Sequence, residues 1–317
     1  MANENQATQH WDALADEYDA DLITYFGPVD TPHDRTLLSL VEQRVRRPNV
    51  ILWLTTYGGD PHAAYRISRS LQNPYKTTKD GPLSQKCGTF TVFVDTNCKS
   101  AGTIIVLGAN RLVMSDYAEL GPIDLQLLKP DHGSERTSSL TPMQALNAMQ
   151  TASFDLFKYY FRQLRANAAW NLTTKTAAEL AANMTIGLMD PIYGQIDPIK
   201  LGEIDRFTKM SLLYGQKLAN GNLKEDAVER LVAGYPSHGF VIDRREAKEL
   251  FNYVDEPSGA FRALMVSRPV SESFLSADEP LIGFLNSPLP IKVAAPTAHP
   301  PETFEGPNGS EEEETLQ

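Results

Sequence analysis

Cysteine is scarce, with only Cys87 and Cys98 in 317 residues. Two thiols cannot hold a disulfide scaffold, and their spacing fits no zinc or redox pattern. Basic charge is also short. There are 29 Lys and Arg against 40 Asp and Glu, a formal net charge of −11. A surface of that sign disfavours nucleic acid and anionic membranes as main partners, because both recruit cationic patches. No apolar run approaches the ~18–20 residues of a membrane span. The longest, Thr103 to Met114, is interrupted by Asn110 and Arg111. The opening "MANENQATQHWDALADEYDADL" lacks the charged-then-apolar layout of a secretory signal. No internal repeat is visible. These absences predict a reduced, cytoplasmic protein with no membrane span, no nucleic-acid partner, and no cofactor or metal.

What is present suits a sizeable core, with 42% hydrophobic residues. After a polar leader over residues 1–18, apolar strand-like runs alternate with helical patterns. "LITYFG", "VILWLTT", "FTVFVD" and "RLVM" read as strands. "HDRTLLSLVEQRV", "AAYRISRSLQ" and "AGTIIVLGA" read as helices. Such alternation predicts an α/β domain over about 19–270 with a mainly parallel sheet. From Thr141 the pattern turns helical, with a threonine cap and Pro142 at the first helical position. Met143, Leu146, Met149, Phe154, Phe157, Phe161 and Leu164 form an apolar stripe suited to core or subunit contact. This helical insertion covers about 142–233. A helix capped by Asp243 follows. Residues 271–317, rich in proline and acid, read as a largely disordered tail.

Two strand-to-helix junctions carry the chemistry. "TTYGGDPHAAYRI" sets Gly58 and Gly59 directly after a strand, where backbone N–H groups are unshielded. "FVDTNCKSAGT" sets Ser100 before Ala101 and Gly102 at the start of a helix. The Gly59 and Ala101 N–H groups can converge on a carbonyl oxygen held beside the Ser100 hydroxyl, which is an oxyanion hole. Gly58 and His62 then border the substrate groove. The simpler account of the same residues is a turn followed by a serine N-cap. Cys98 reads as a small packed residue, and Lys99 as pointing away from Ser100.

In their order, "TTYGGDPHAAYRI", "CKSAGTIIVLGANRLVMSDYAELGPIDLQ" and "HGFVIDRREAKELFNYVDE" resemble the superfamily of the Clp protease proteolytic subunit and crotonase-like proteins. The resemblance is closest to the branch holding signal peptide peptidase A and the serine dehydrogenase proteinases. It spans about Asp21 to Asp255. Phe251, Asn252 and Tyr253 stand where Gly-Leu is usual. It implies a spiral of repeated ββα units, Ser100 as nucleophile, a peptide or protein substrate, and a closed homo-oligomer. It leaves open whether an ATPase partner feeds the site. The other class of function on this fold is crotonase-like acyl-CoA chemistry or non-hydrolytic assembly.

The base departs from the relatives. The loop that holds a histidine in the Clp subunits reads "LGPIDLQ" here and has none. His238, in "SHGFVID", is one candidate, with Asp124 orienting it and the acid and the histidine having exchanged loops. Lys129, in "LLKPDHGS", is the other, as the neutral amine of a Ser-Lys dyad.

Overall fold

A computed structural model describes residues 2–43, 47–76, 88–123, 126–128, 136–138, 140–266 and 279–286. Asp124 and Lys129 lie outside the described residues.

In chain order the elements are α1 (Ala2–Glu17), β1 (Ala20–Phe26), α2 (His33–Gln43), β2 (Asn49–Thr55) and α3 (Pro61–Lys76). Then come β3 (Phe90–Val94), β4 (Asn97–Cys98), α4 (Ala101–Leu107), β5 (Arg111–Met114) and β6 (Glu119–Leu120). A small hairpin pairs β7 (Gln126–Leu128) with β8 (Arg136–Ser138). Next are α5 (Leu140–Ala166), α6 (Thr174–Tyr193), α7 (Pro198–Leu218), α8 (Ala227–Glu229) and a π-turn (Arg230–Gly234). The last described elements are α9 (Arg244–Leu250), β9 (Val254–Asp255), α10 (Gly259–Val266) and β10 (Leu281–Phe284).

The main sheet runs β10-β1-β2-β3-β5-β9. Only the edge strand β10 is antiparallel, to β1. A parallel sheet covered on both faces needs strands apolar on both sides, which is why β1 to β3 are near-continuous apolar runs. Alternation then sorts the side chains. Ile23, Tyr25, Leu52, Leu54, Val92 and Val94 face the cluster under α2, α3 and α4. Leu22, Phe26, Ile51, Trp53 and Phe93 face a second cluster that takes in Trp11 and Leu14 of α1 and Phe261 and Leu264 of α10. The leader is therefore helical, and its second half contributes buried side chains.

Each of the first strands leads into a short second segment, and these segments pair with one another. Val29 bridges Gly59, Thr56 bridges Cys98, β4 pairs with β6, and Leu120 bridges Ile242. This transverse ladder lies past the ends of β1, β2, β3 and β5, and the candidate site is built on it. The helical insertion is not wholly peripheral. Gln72 of α3 donates to the carbonyls of both Gly108 and Leu218 at 2.8 Å, tying the end of α7 to α3 and α4.

Two details differ from expectation. The helix expected from Thr141 begins at Leu140, so Thr141 and Pro142 fall inside its first turn. Within the stretch assigned to the tail, Leu281–Phe284 is a buried edge strand registered against Ile23–Phe26. Four apolar residues next to Pro280 are too few to show a period. Among the described residues, no helix is long and apolar enough to cross a membrane.

Candidate active site

Ser100 sits where β4 turns into α4, with φ 50° and ψ −113°. That is a positive-φ backbone setting that L-residues with a Cβ avoid, at a cost of about 1–3 kcal/mol. A serine recruited as a helix cap has an extended backbone and accepts a bond from the first turn. Ser100 has neither, and its hydroxyl makes no cap bond. The simple cap account therefore fails, and the strained serine needs another reason.

The Gly58–Gly59 turn lies directly against it. Gly58 has φ 109° and Gly59 φ 146°. A methyl group built on Gly58 would lie 2.9 Å from Ser100 Cβ and 3.3 Å from the Ala101 nitrogen. One on Gly59 would lie 2.0 Å from the Val29 carbonyl oxygen. Only glycine fits either position. The Gly58 N–H is taken up by Thr56 Oγ1 at 2.9 Å. The Gly59 and Ala101 N–H groups have no acceptor among the described residues. Two amides without an acceptor among the described residues thus belong to the two turns that meet at Ser100, and backbone N–H groups of this kind are what an oxyanion hole is made of.

Neighbouring side chains are committed elsewhere. Lys99 Nζ pairs with Glu119 Oε2 at 2.6 Å and reaches the Leu120 carbonyl at 3.3 Å. It clamps the serine loop to β6 and is not free to act on Ser100. Cys98 is fully buried, and that burial pushes its thiol well up, so it is inert. His62 is exposed, with its Nδ1 2.7 Å from the Tyr214 hydroxyl. Tyr214 stacks on Tyr65 at 4.3 Å between centroids. Burial, then Tyr65, raises the Tyr214 phenol above its ordinary range.

His238 is half-buried in the loop between the π-turn and Ile242. The two sides of that loop are stitched to the segment that follows β6 and to the end of β6 itself. Ile123 N donates to the Leu231 carbonyl at 2.8 Å, and Leu120 and Ile242 exchange bonds of 2.9 and 3.1 Å. Within the loop, Tyr235 donates to Glu246 at 2.8 Å and its ring lies 4.9 Å from Phe240. The residues just before Asp124 and the loop carrying His238 are thereby held together, on the strand that pairs with the serine's own.

Three residues in this region are not singled out by the sequence. Thr56 reads as one more β-former at the end of "VILWLTT", although a threonine two residues before a glycine is an ST-turn signal. Tyr214 is far along the insertion and carries no motif. His33, paired with Asp30 beside the Val29 bridge, has no partner pattern in the sequence. Among the described residues, no group of three or more His, Cys, Asp or Glu could hold a metal ion.

The molecule is thus an α/β protein on a mostly parallel mixed sheet. No family model matches it, and no curated protein matches it. Among solved structures, one it is similar to is a mutant of the 1510-N membrane-bound stomatin-specific protease. The two share 17% identity over 50% of this chain and 67% of that one, with a TM-score of 0.28.

Proposed function

We propose that this chain is a serine peptidase that works through an acyl-enzyme at Ser100. The observation that carries the reading is Ser100 itself: a serine at positive φ, with no cap bond, packed against the Gly58–Gly59 turn. Ser100 Oγ attacks the scissile carbonyl carbon and passes its proton to the base. The carbonyl oxygen becomes an oxyanion and is held by the Gly59 and Ala101 N–H groups. The base returns the proton to the leaving amine as the C–N bond breaks. Water then enters by the reverse route and frees the acid product.

The base is His238, oriented by Asp124. The stitching of Leu120 and Ile123 to Ile242 and Leu231 supports this choice over Lys129. The transverse ladder supports a ββα spiral of the Clp-protease kind, in the branch of the signal peptide peptidases and serine dehydrogenase proteinases. The protein is cytoplasmic in this reading and self-associates through the α5–α6 hairpin.

The test is labelling by a fluorophosphonate, which reports an activated serine. Wild-type protein labels and Ser100→Ala does not, with the fold unchanged by circular dichroism. His238→Ala slows labelling by about 10²–10⁴-fold, the usual worth of a general base, and Lys129→Ala leaves it unchanged. Labelling that survives Ser100→Ala would sink the assignment. Slow labelling of Lys129→Ala with fast labelling of His238→Ala would move the protein to the Ser-Lys group.

A further inference from the structure

We infer that Thr56 is the positioning residue that sets the oxyanion turn against the nucleophile. The inference rests on the serine-peptidase reading of Ser100. Thr56 is fully buried between the two turns that meet at the site. Its backbone belongs to the serine side. Its N–H donates to the Asn97 carbonyl at 2.8 Å, and its carbonyl accepts from Lys99 N at 2.9 Å. Its side chain belongs to the glycine side, where Oγ1 accepts from Gly58 N at 2.9 Å.

The consequence is a division of labour between two adjacent amides. Without a partner, the Gly58 N–H would compete with Gly59 for any anion at the turn, and the entry to the turn would be held only from the Val29 side. Glycine has little torsional preference of its own, and Gly58 and Gly59 both sit at positive φ. The Thr56 hydroxyl removes the first N–H from the competition and fixes the Tyr57–Gly58 peptide plane. The next plane, which carries the Gly59 N–H, is held at the Gly58 carbonyl by Val29 N at 2.9 Å, with Thr56 Oγ1 at 3.5 Å from the same oxygen. Its methyl group lies on the other side, against the start of α4. A Cβ added to Gly102, in the first turn of α4, would lie 2.5 Å from Thr56 Cγ2. The missing side chain of Gly102 thus leaves the room in which the Thr56 methyl packs between the glycine turn and the helix that bears Ala101. One side chain thus fixes the spacing of both amides, and displaced amides stabilise the transition state poorly.

The experiment uses full-length protein and a set of three variants. Thr56→Val keeps the shape and loses the hydroxyl. Thr56→Ser keeps the hydroxyl and loses the methyl. Thr56→Ala loses both. The readouts are the maximal fluorophosphonate labelling rate, the probe concentration at half that rate, and the thermal midpoint. Thr56→Val should slow maximal labelling by about tenfold, less than the 10²–10³ of deleting a donor outright. The half-saturating concentration should stay unchanged, and Thr56→Ser should recover most of the rate. A structural role alone would instead lower the midpoint and spare the rate of the folded fraction. If Thr56→Val labels at the wild-type rate, the inference falls while the Ser100 reading stands. If Thr56→Val does not fold, Thr56→Ala against Thr56→Ser decides it: equal rates overturn the inference. If wild-type protein never labels, the Ser100 reading fails and this inference fails with it.

Discussion

Around the main sheet, Trp53, Phe93 and Phe261 are buried almost completely, whereas on the α5–α6 hairpin Phe154, Ile186 and Leu188 are each more than half exposed. The sheet region packs its own large apolar side chains. Its apolar side chains are packed on both faces, and the unused amides described above belong to the turns around Ser100. The hairpin does not. Phe154, Phe157 and Phe161 form a ladder of stacked rings along α5, and Met184, Ile186, Leu188 and Ile192 are exposed on α6. In the proposed reading this apolar surface is the one through which chains meet. The difference separates the region that assembles a strained serine and its turn from the one that the proposed reading assigns to self-association.

The comparison breaks most sharply at Gly59. Gly59→Ala puts a methyl group into the Val29 carbonyl and forces a side chain onto positive φ. Overpacking and backbone strain together should cost about 3 kcal/mol, read as a lowered midpoint in urea. A variant within about 0.5 kcal/mol of wild type, the spread of ordinary surface substitutions, would show that the Val29–Gly59 rung is absent in solution. The next largest effect belongs to the hairpin. Ile186→Glu with Leu188→Glu should weaken self-association by about tenfold to a hundredfold at an unchanged thermal midpoint, because neither residue is in the protomer's core. Sedimentation velocity over a concentration series measures it, and an unchanged distribution of species would place the subunit contact elsewhere. The smallest effect sharpens the account of the serine. Ser100→Gly should stabilise the fold by about 1 kcal/mol, since glycine adopts this backbone without strain, while abolishing labelling. A destabilised glycine variant would mean that Ser100 is set by packing and not held under strain.

Much of this is legible in the residues because the signals are local. Apolar runs such as "VILWLTT" and "FTVFVD" mark strands buried on both faces, and small residues such as Gly58, Gly59 and Ala101 mark where backbone must come close. The two-residue strands β4 and β6 are not legible, because a segment that short has no period. The strand Leu281–Phe284 is hidden for the same reason, next to Pro280 and amid proline-rich chain. Thr56 and Tyr214 are hidden for a different one. Their roles come from partners the fold brings beside them, and a hydroxyl in a β-rich run carries no sign of what it will bind. Asp124 and Lys129, both named from the sequence, lie outside the described residues, so the base rests on the anchoring of the His238 loop.

The transverse ladder has a consequence in time. Its rungs reach from Val29 to Ile242, so the last one cannot close until the chain beyond Ile242 has left the ribosome. At ~5–20 residues per second, the stretch from Ser100 to Ile242 takes roughly seven to thirty seconds to make. For that interval the nascent chain carries its serine and its glycine turn without the loop that bears His238. In the proposed mechanism such a chain is born inert, and it becomes a hydrolase only after the helical insertion and the loop beyond it have been synthesised.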